Sequence, residues 1–423
     1  MGEETQSIDQ SSNSGDYTLF QRAYLGARLA LGHRIVLAPL TRFRTGTGYL
    51  PLPTVKEYYA QRASVPGTLL ISEGIFVSPG AGSVNPDASP VLHTEEQAKK
   101  WREITDAVHA KGSYMIAQLF AAGRSADPGI LAAHDPPFPF LGPSALAVPP
   151  TDQDIVPPSA PRAMTREEIK QHVQLFVNSA RLAVEVGGFD GVELDCANGY
   201  LLDQFLQDLS NVRDDEYGGG PEGRSRFPLE IAEALAEAVG EERVGVRLSP
   251  WSKFQGMGME DPIPTFSYFA SELRTRFPSL AYLHAVEPRI SGASTRDADT
   301  VGVHESIEFL RRIWAGPGRV FISAGGYTRA AALARADSSP RDYDGLVDLV
   351  AFGRWFISNP DLPTRLKDDL PIAPYNRATF YLVGDASGKG YTDYPAYTEA
   401  DRMAGGLRST TGTMSPQAIA CEA

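Results

Sequence analysis

Eight short runs of β-branched and apolar residues punctuate the chain. They are RIVLAP (34–39), TLLISEG (68–74), SYMIAQL (113–119), FDGVEL (189–194), RVGVRL (243–248), LAYLHAV (280–286), RVFISAGG (319–326) and LVDLVAFG, which ends at Gly353. The runs are nearly continuous in apolar residues, the pattern of parallel strands covered on both faces rather than of half-exposed strands. Stretches with helical spacing separate them, at 95–111, 165–186, 226–239, 264–277 and 304–315. Eight strands alternating with helices predict an α/β domain built as a single (β/α)8 TIM barrel. A doubly wound open sheet is the rival, but it seldom needs eight strands, and no GxGxxG follows the first run. Between strand 3 and helix 3, residues 120–163 carry PPFPFLGPSALAVPP and VPPSAPR. This long Pro-rich excursion predicts a lid or wall over the barrel mouth.

The barrel is expected to occupy residues 17–400. Residues 1–16 and 401–423 are poor in large apolar side chains and read as a disordered N-terminal and a flexible C-terminal tail. Composition narrows the class further. Apolar residues make up 42% and the net charge is -13, which suits a globular enzyme and argues against nucleic acid or anionic membrane as partners. No stretch reaches the roughly 20 apolar residues of a membrane span. The N-terminus is acidic and polar, and there are two cysteines, so a reducing cytoplasm is the expected home. A small-molecule substrate and a monomer or homodimer are expected.

In this fold chemistry gathers at the C-terminal ends of the strands. Those ends carry Pro39-Leu40-Thr41, Gly74, Gln118, Asp195 with Asn198 and Tyr200, Arg247, Gly325-Gly326, and Gly353-Arg354. Loops after strands 7 and 8 form the fold's usual phosphate site; Gly325-Gly326 lets backbone N–H groups approach an anion, and Arg354 adds a charge-assisted clamp. The alternative is that the glycines merely turn the chain. Gln118 offers an acceptor and donors to a pyrimidine-like edge. Arg247 aims a permanent cation at the barrel axis, where it needs an anion: an acidic side chain, or the N1/O2 edge of a reduced flavin. No strand ends in Lys, and the seven histidines show no metal-ligand spacing, so Schiff-base and zinc chemistry are not expected and no metal site is assigned. His284 alone reads as a satisfied core histidine.

These residues resemble the old yellow enzyme family of FMN-dependent, NADPH-using ene-reductases, of the fungal type. RIVLAPLTRFR (34–44), GFDGVELDCANGYLLDQFL (188–206), DDEYGGGPEGRSRF (214–227), YLHAVEPR (282–289), AFGRWFISNPDLPTRL (351–366) and TFYLVGDASGKGYTDYP (379–395) run in family order. The resemblance implies that Pro39, Leu40 and Thr41 lie along the FMN ring, that Gly74 and Gln118 bind its edge, and that Arg247 faces N1/O2. Gly325, Gly326, Phe352, Gly353 and Arg354 would surround the phosphate. It further implies ping-pong catalysis, in which NADPH reduces the flavin and an activated alkene then takes hydride, with Tyr200 giving the proton. Phe120, Trp251, Phe254, Phe380 and Tyr381 are candidates for the substrate pocket.

One position departs. The family places His or Asn three residues before the second Asn, as two donors to the substrate carbonyl; here the pair is Asp195 and Asn198. An ionised carboxylate is acceptor-only and repels a developing enolate. Three readings follow. Burial could neutralise Asp195 and make it a donor, preserving alkene reduction. An ionised Asp195 could instead recognise a cationic or hydroxyl-bearing substrate or act as a base, as in a flavin-dependent isomerase or desaturase of secondary metabolism. Or the chain could bind flavin with little turnover.

Overall fold

The eight apolar runs form eight parallel strands in a computed structural model that describes residues 17–398 and 401, apart from 27, 83–87 and 151–158. The strands are β1 (Ile35–Leu37), β2 (Leu69–Ile71), β3 (Tyr114–Phe120), β4 (Gly191–Cys196), β5 (Val244–Leu248), β6 (Tyr282–Val286), β7 (Val320–Ala324) and β8 (Val347–Phe352). Each pairs with the next in chain order, and β8 pairs with β1. Closure leaves no unpaired edge in the ring, so the sequence-based TIM-barrel expectation is met. The expected tails lie outside the described residues, save Asp401.

Eight outer helices follow the strands: α1 (Pro53–Arg62), α2 (Glu95–His109), α3 (Arg166–Arg181), α4 (Pro221–Val239), α5 (Ile263–Arg276), α6 (Glu308–Trp314), α7 (Arg329–Asp342) and α8 (Leu362–Lys367). Two of them begin with a reciprocal capping box, Thr94 with Gln97 and Thr165 with Glu168, which satisfies orphan N–H groups of the first turn. Helix α4 starts earlier than its hydrophobic pattern indicates, because Pro221 supplies a preset φ at the first turn. Trp101, Phe176 and Trp314 fill the layer between strands and helices and are fully buried.

The two ends of the barrel differ in chemistry. At the N-terminal end a hairpin, Ala23–Leu25 with Leu29–Leu31, lays Leu25, Leu29 and Leu31 against Val36, Leu69, Ile116, Ile322 and Leu349. Each such leucine stabilises the fold by about 1.5–3 kcal/mol and the end is sealed apolar. The opposite end stays open. Its wall is not where the sequence placed it: among the described residues none in 120–163 lines the cavity at that end. The excursion instead buttresses a neighbour, with Arg124 donating to the carbonyls of Gln255 and Gly256.

The wall comes from the C-terminal segment 375–395. Arg42 donates to the carbonyls of Phe380 (3.1 Å) and Gly390 (2.8 Å), and Arg62 to that of Tyr391 (3.2 Å). Tyr58 and Tyr391 stack at 4.1 Å with the Arg62 guanidinium 3.5 Å from the Tyr58 ring. Arginine fits this buried post because its fork donates to several carbonyls while its plane lies on aromatic faces. Among the described residues no helix is long and apolar enough to cross a membrane.

Candidate active site

Side chains alternate in and out along each strand, so the barrel interior can be read two residues at a time. Toward the open end the inward positions switch from apolar to polar. Ile116 is followed by Gln118, Tyr282 by His284, and β4 contributes Glu193 and then Asp195. Gln118 pairs in register with Glu193, and Asp195 with Arg247. Gln118 Nε2 donates to Glu193 Oε1 at 2.7 Å, and His284 Nδ1 lies 2.8 Å from Glu193 Oε2. Gly245 of β5, the register partner of both Glu193 and Tyr282, has no side chain and leaves room for the Tyr282 ring. A Cβ there would lie 2.2 Å from the Tyr282 ring.

Asp195 sits on this floor and is 2% exposed. Its Oδ1 is buried with no hydrogen-bond partner. Burial pushes its pKa up to about 8; the Arg247 guanidinium opposes the rise, and the Glu193 and Asp203 carboxyls add to it. Burial therefore favours its neutral form, in which the carboxyl can donate. Beyond β4 the chain turns sharply, with Asn198 at φ 57° and its N–H donating to Ser249 Oγ at 2.8 Å. The turn brings Tyr200 back beside Asp195. Burial, then the Asp195 charge, holds the Tyr200 hydroxyl well above its ordinary pKa, so it keeps its proton.

Three of the sequence-predicted residues stand behind the cavity rather than on it. Phe120 packs edge-on against Tyr200 at 4.7 Å and stacks on Phe76, so it steadies the tyrosine. Gly74 lies under the same ring, where a Cβ would come within 2.8 Å of Phe120 and 3.3 Å of Gln118 Oε1. Trp251 turns away and donates its indole N–H to the Ser306 carbonyl. The others surround one cavity of about 730 Å3: Pro39, Leu40, Thr41, Gln118, Asp195, Asn198, Tyr200, Arg247, Phe254, Gly325, Gly326, Phe352, Gly353, Arg354, Phe380 and Tyr381. That volume lies in the range of small-molecule and cofactor sites.

The far end of the cavity is basic. Gly325 and Gly326 take φ of 123° and 62°, a conformation that suits glycine and leaves the backbone bare. Arg354 reaches Thr295 Oγ1 at 2.6 Å, and Arg289 donates to the Gly325 carbonyl at 2.6 Å while its Nη2 has no partner. The donor set fits flavin mononucleotide. Bare glycines and Arg354 suit a phosphate, and Gln118 with the unpartnered Arg247 Nε suits a polar ring edge.

Sequence reasoning missed Glu193 and left His284 as an ordinary core histidine. The signal for Glu193 was present, since it lies two residues before Asp195 and so on the same inward face. Arg289, Tyr327 and Tyr375 also line the cavity and came from loops that strand-end reading does not reach.

Known proteins share this architecture. The sequence profile of the NADH:flavin oxidoreductase / NADH oxidase family matches residues 18–373. Chanoclavine-I aldehyde reductase fgaOx3 of Penicillium roqueforti (strain FM164) is 46% identical over 376 residues, 89% of this chain and 95% of that protein. A probable inactive reductase, easA, of Epichloe festucae var. lolii is 45% identical over 372 residues, 87% and 92% of the two chains. The crystal structure of Old Yellow Enzyme from Pichia sp. AKU4542 superposes with a TM-score of 0.78 at 37% identity, covering 91% of this chain and 95% of that one. The chain therefore belongs to the NADH:flavin oxidoreductase / NADH oxidase family and is an old yellow enzyme-type, FMN-dependent NAD(P)H oxidoreductase.

Proposed function

We propose that the protein reduces a carbon–carbon double bond conjugated to an aldehyde or similar carbonyl, with NADPH as hydride donor, in a cytoplasmic biosynthetic step. FMN, when bound, supplies hydride transfer at this site. Gly325, Gly326, Phe352, Gly353 and Arg354 would hold its phosphate, and Pro39, Leu40, Thr41, Gln118 and Arg247 its ring. Asn198 and the neutral Asp195 carboxyl grip the substrate oxygen as paired donors and stabilise charge that builds there. Tyr200, held protonated, gives its proton to the α-carbon.

The observation that carries this reading is the setting of Asp195: buried, with an unpartnered oxygen, where loss of solvent favours the protonated carboxyl. A cationic substrate is disfavoured by the same cavity. Arg42, Arg247, Arg289 and Arg354 line it, and Asp195 is the one acidic side chain among its described lining residues. The relative named an aldehyde reductase supports the carbonyl class.

The test is single-turnover reoxidation of NADPH-reduced enzyme against conjugated aldehydes, nitroalkenes and positively charged alkenes. Rapid reoxidation by neutral conjugated aldehydes is expected. Reoxidation by charged alkenes alone, or by none of the panel, would overturn the proposal.

A further inference from the structure

Gln118 lines the cavity floor, and its neighbours decide which way its amide faces. Burial alone would raise the Glu193 carboxyl; His284, Arg247 and Gln118 outweigh it and keep Glu193 below its ordinary range. Burial also lowers His284, against the pull of the Glu193 carboxylate. An ionised carboxylate only accepts hydrogen bonds, so both groups that face it must donate. That places the Gln118 amide nitrogen at Glu193 Oε1 (2.7 Å) and the proton of His284 on Nδ1 (2.8 Å). The Gln118 carbonyl oxygen is left on the other side. Among the described residues nothing donates to it, and a side chain in place of Gly74 would come within 3.3 Å of it.

We propose that the Glu193–His284 pair is a positioning element that turns the Gln118 carbonyl into the cavity, so that the ring edge bound there must present an N–H donor. The pyrimidine edge of a flavin, with N3–H between two carbonyls, has that pattern. Were the amide free to turn, its NH2 would face N3–H and two donors would oppose each other. Two features of the strands build the arrangement. Gln118 and Glu193 are register partners, and Glu193 and His284 point to the same interior, 2.8 Å apart. The inference rests on FMN lying with its ring edge at Gln118.

The test uses the full-length holoenzyme and reads the pH at which bound FMN loses its N3 proton, from its absorption spectrum, together with FMN affinity. In the wild type the N3–H should persist to higher pH than in free FMN, because a carbonyl backed by a carboxylate opposes its ionisation. Glu193→Gln removes the charge that orients the amide. It should return the ionisation toward the free value and weaken FMN binding about tenfold or more. Weaker binding with the ionisation unmoved would show a purely structural role and overturn the inference. So would a wild-type N3–H that ionises where free FMN does, a result that stands even if the variant does not fold. Failure of the wild type to retain FMN at all would refute the cofactor placement instead.

Discussion

Asp195→Asn changes one atom of a side chain that has no room for charge. The amide keeps a donor and the shape of the carboxyl, and it cannot ionise. The wild-type pKa is displaced from 3.8 to about 8. Four units at 1.36 kcal/mol each put the cost of ionising Asp195 in the fold at roughly 5 kcal/mol. The sign follows from proton counting. Between pH 4 and 8 the folded chain holds a proton on Asp195 that the unfolded chain has released, so stability falls as pH rises through that window and levels off above it. Asp203 and Glu73, both pushed up to about 7 by burial, tilt the profile the same way, but they are present in both proteins and cancel in the difference. Urea unfolding of apoprotein at pH 5 and pH 8 should therefore show the variant gaining on the wild type by about 4 kcal/mol across those three units. The kinetic counterpart is an alkaline limb near pH 8 in kcat/KM for the alkene that the variant lacks. A stability gap that stays constant with pH would mean that Asp195 is ionised in the fold, and the donor role would fall with it.

Tyr200→Phe should slow reoxidation of the reduced enzyme by an alkene about 100-fold or more while leaving the NADPH reduction rate unchanged, as stopped-flow measurement of each half-reaction will show. Gly245→Ala drives a methyl group into the Tyr282 ring and should destabilise the fold by about 1–3 kcal/mol or more in denaturant titration. Arg42→Met keeps the stem but removes the donors that hold segment 375–395. Limited proteolysis should then cut within that segment faster than in the wild type, and alkene KM should rise more than NADPH reduction slows.

The barrel was legible because parallel strands buried on both faces leave an unmistakable apolar run, and all eight runs became strands. The strand-end rule found Gln118, Asp195 and Arg247 for the same reason, since period-two alternation points them inward. It could not say what Asp195 is. A carboxyl three residues before Asn198 reads equally as a base, an anchor for a cation or a donor, and the burial beside Glu193 that favours the donor exists only once β3 to β6 are in register. The described part of the excursion at 120–163 lies off the cavity because proline content reports irregular backbone and not its position. The wall at Tyr375, Phe380 and Tyr381 depends on Arg42, Arg44 and Arg62, more than 300 residues away in sequence, a contact no local pattern encodes.

The protonation state of Asp195 at neutral pH tests the account most directly. Infrared difference spectra of wild type minus Asp195→Asn, recorded across pH 5 to 9, isolate its carboxyl. A protonated C=O band present at pH 7 and lost near pH 8 is the predicted result; carboxylate bands alone at pH 7 would contradict it.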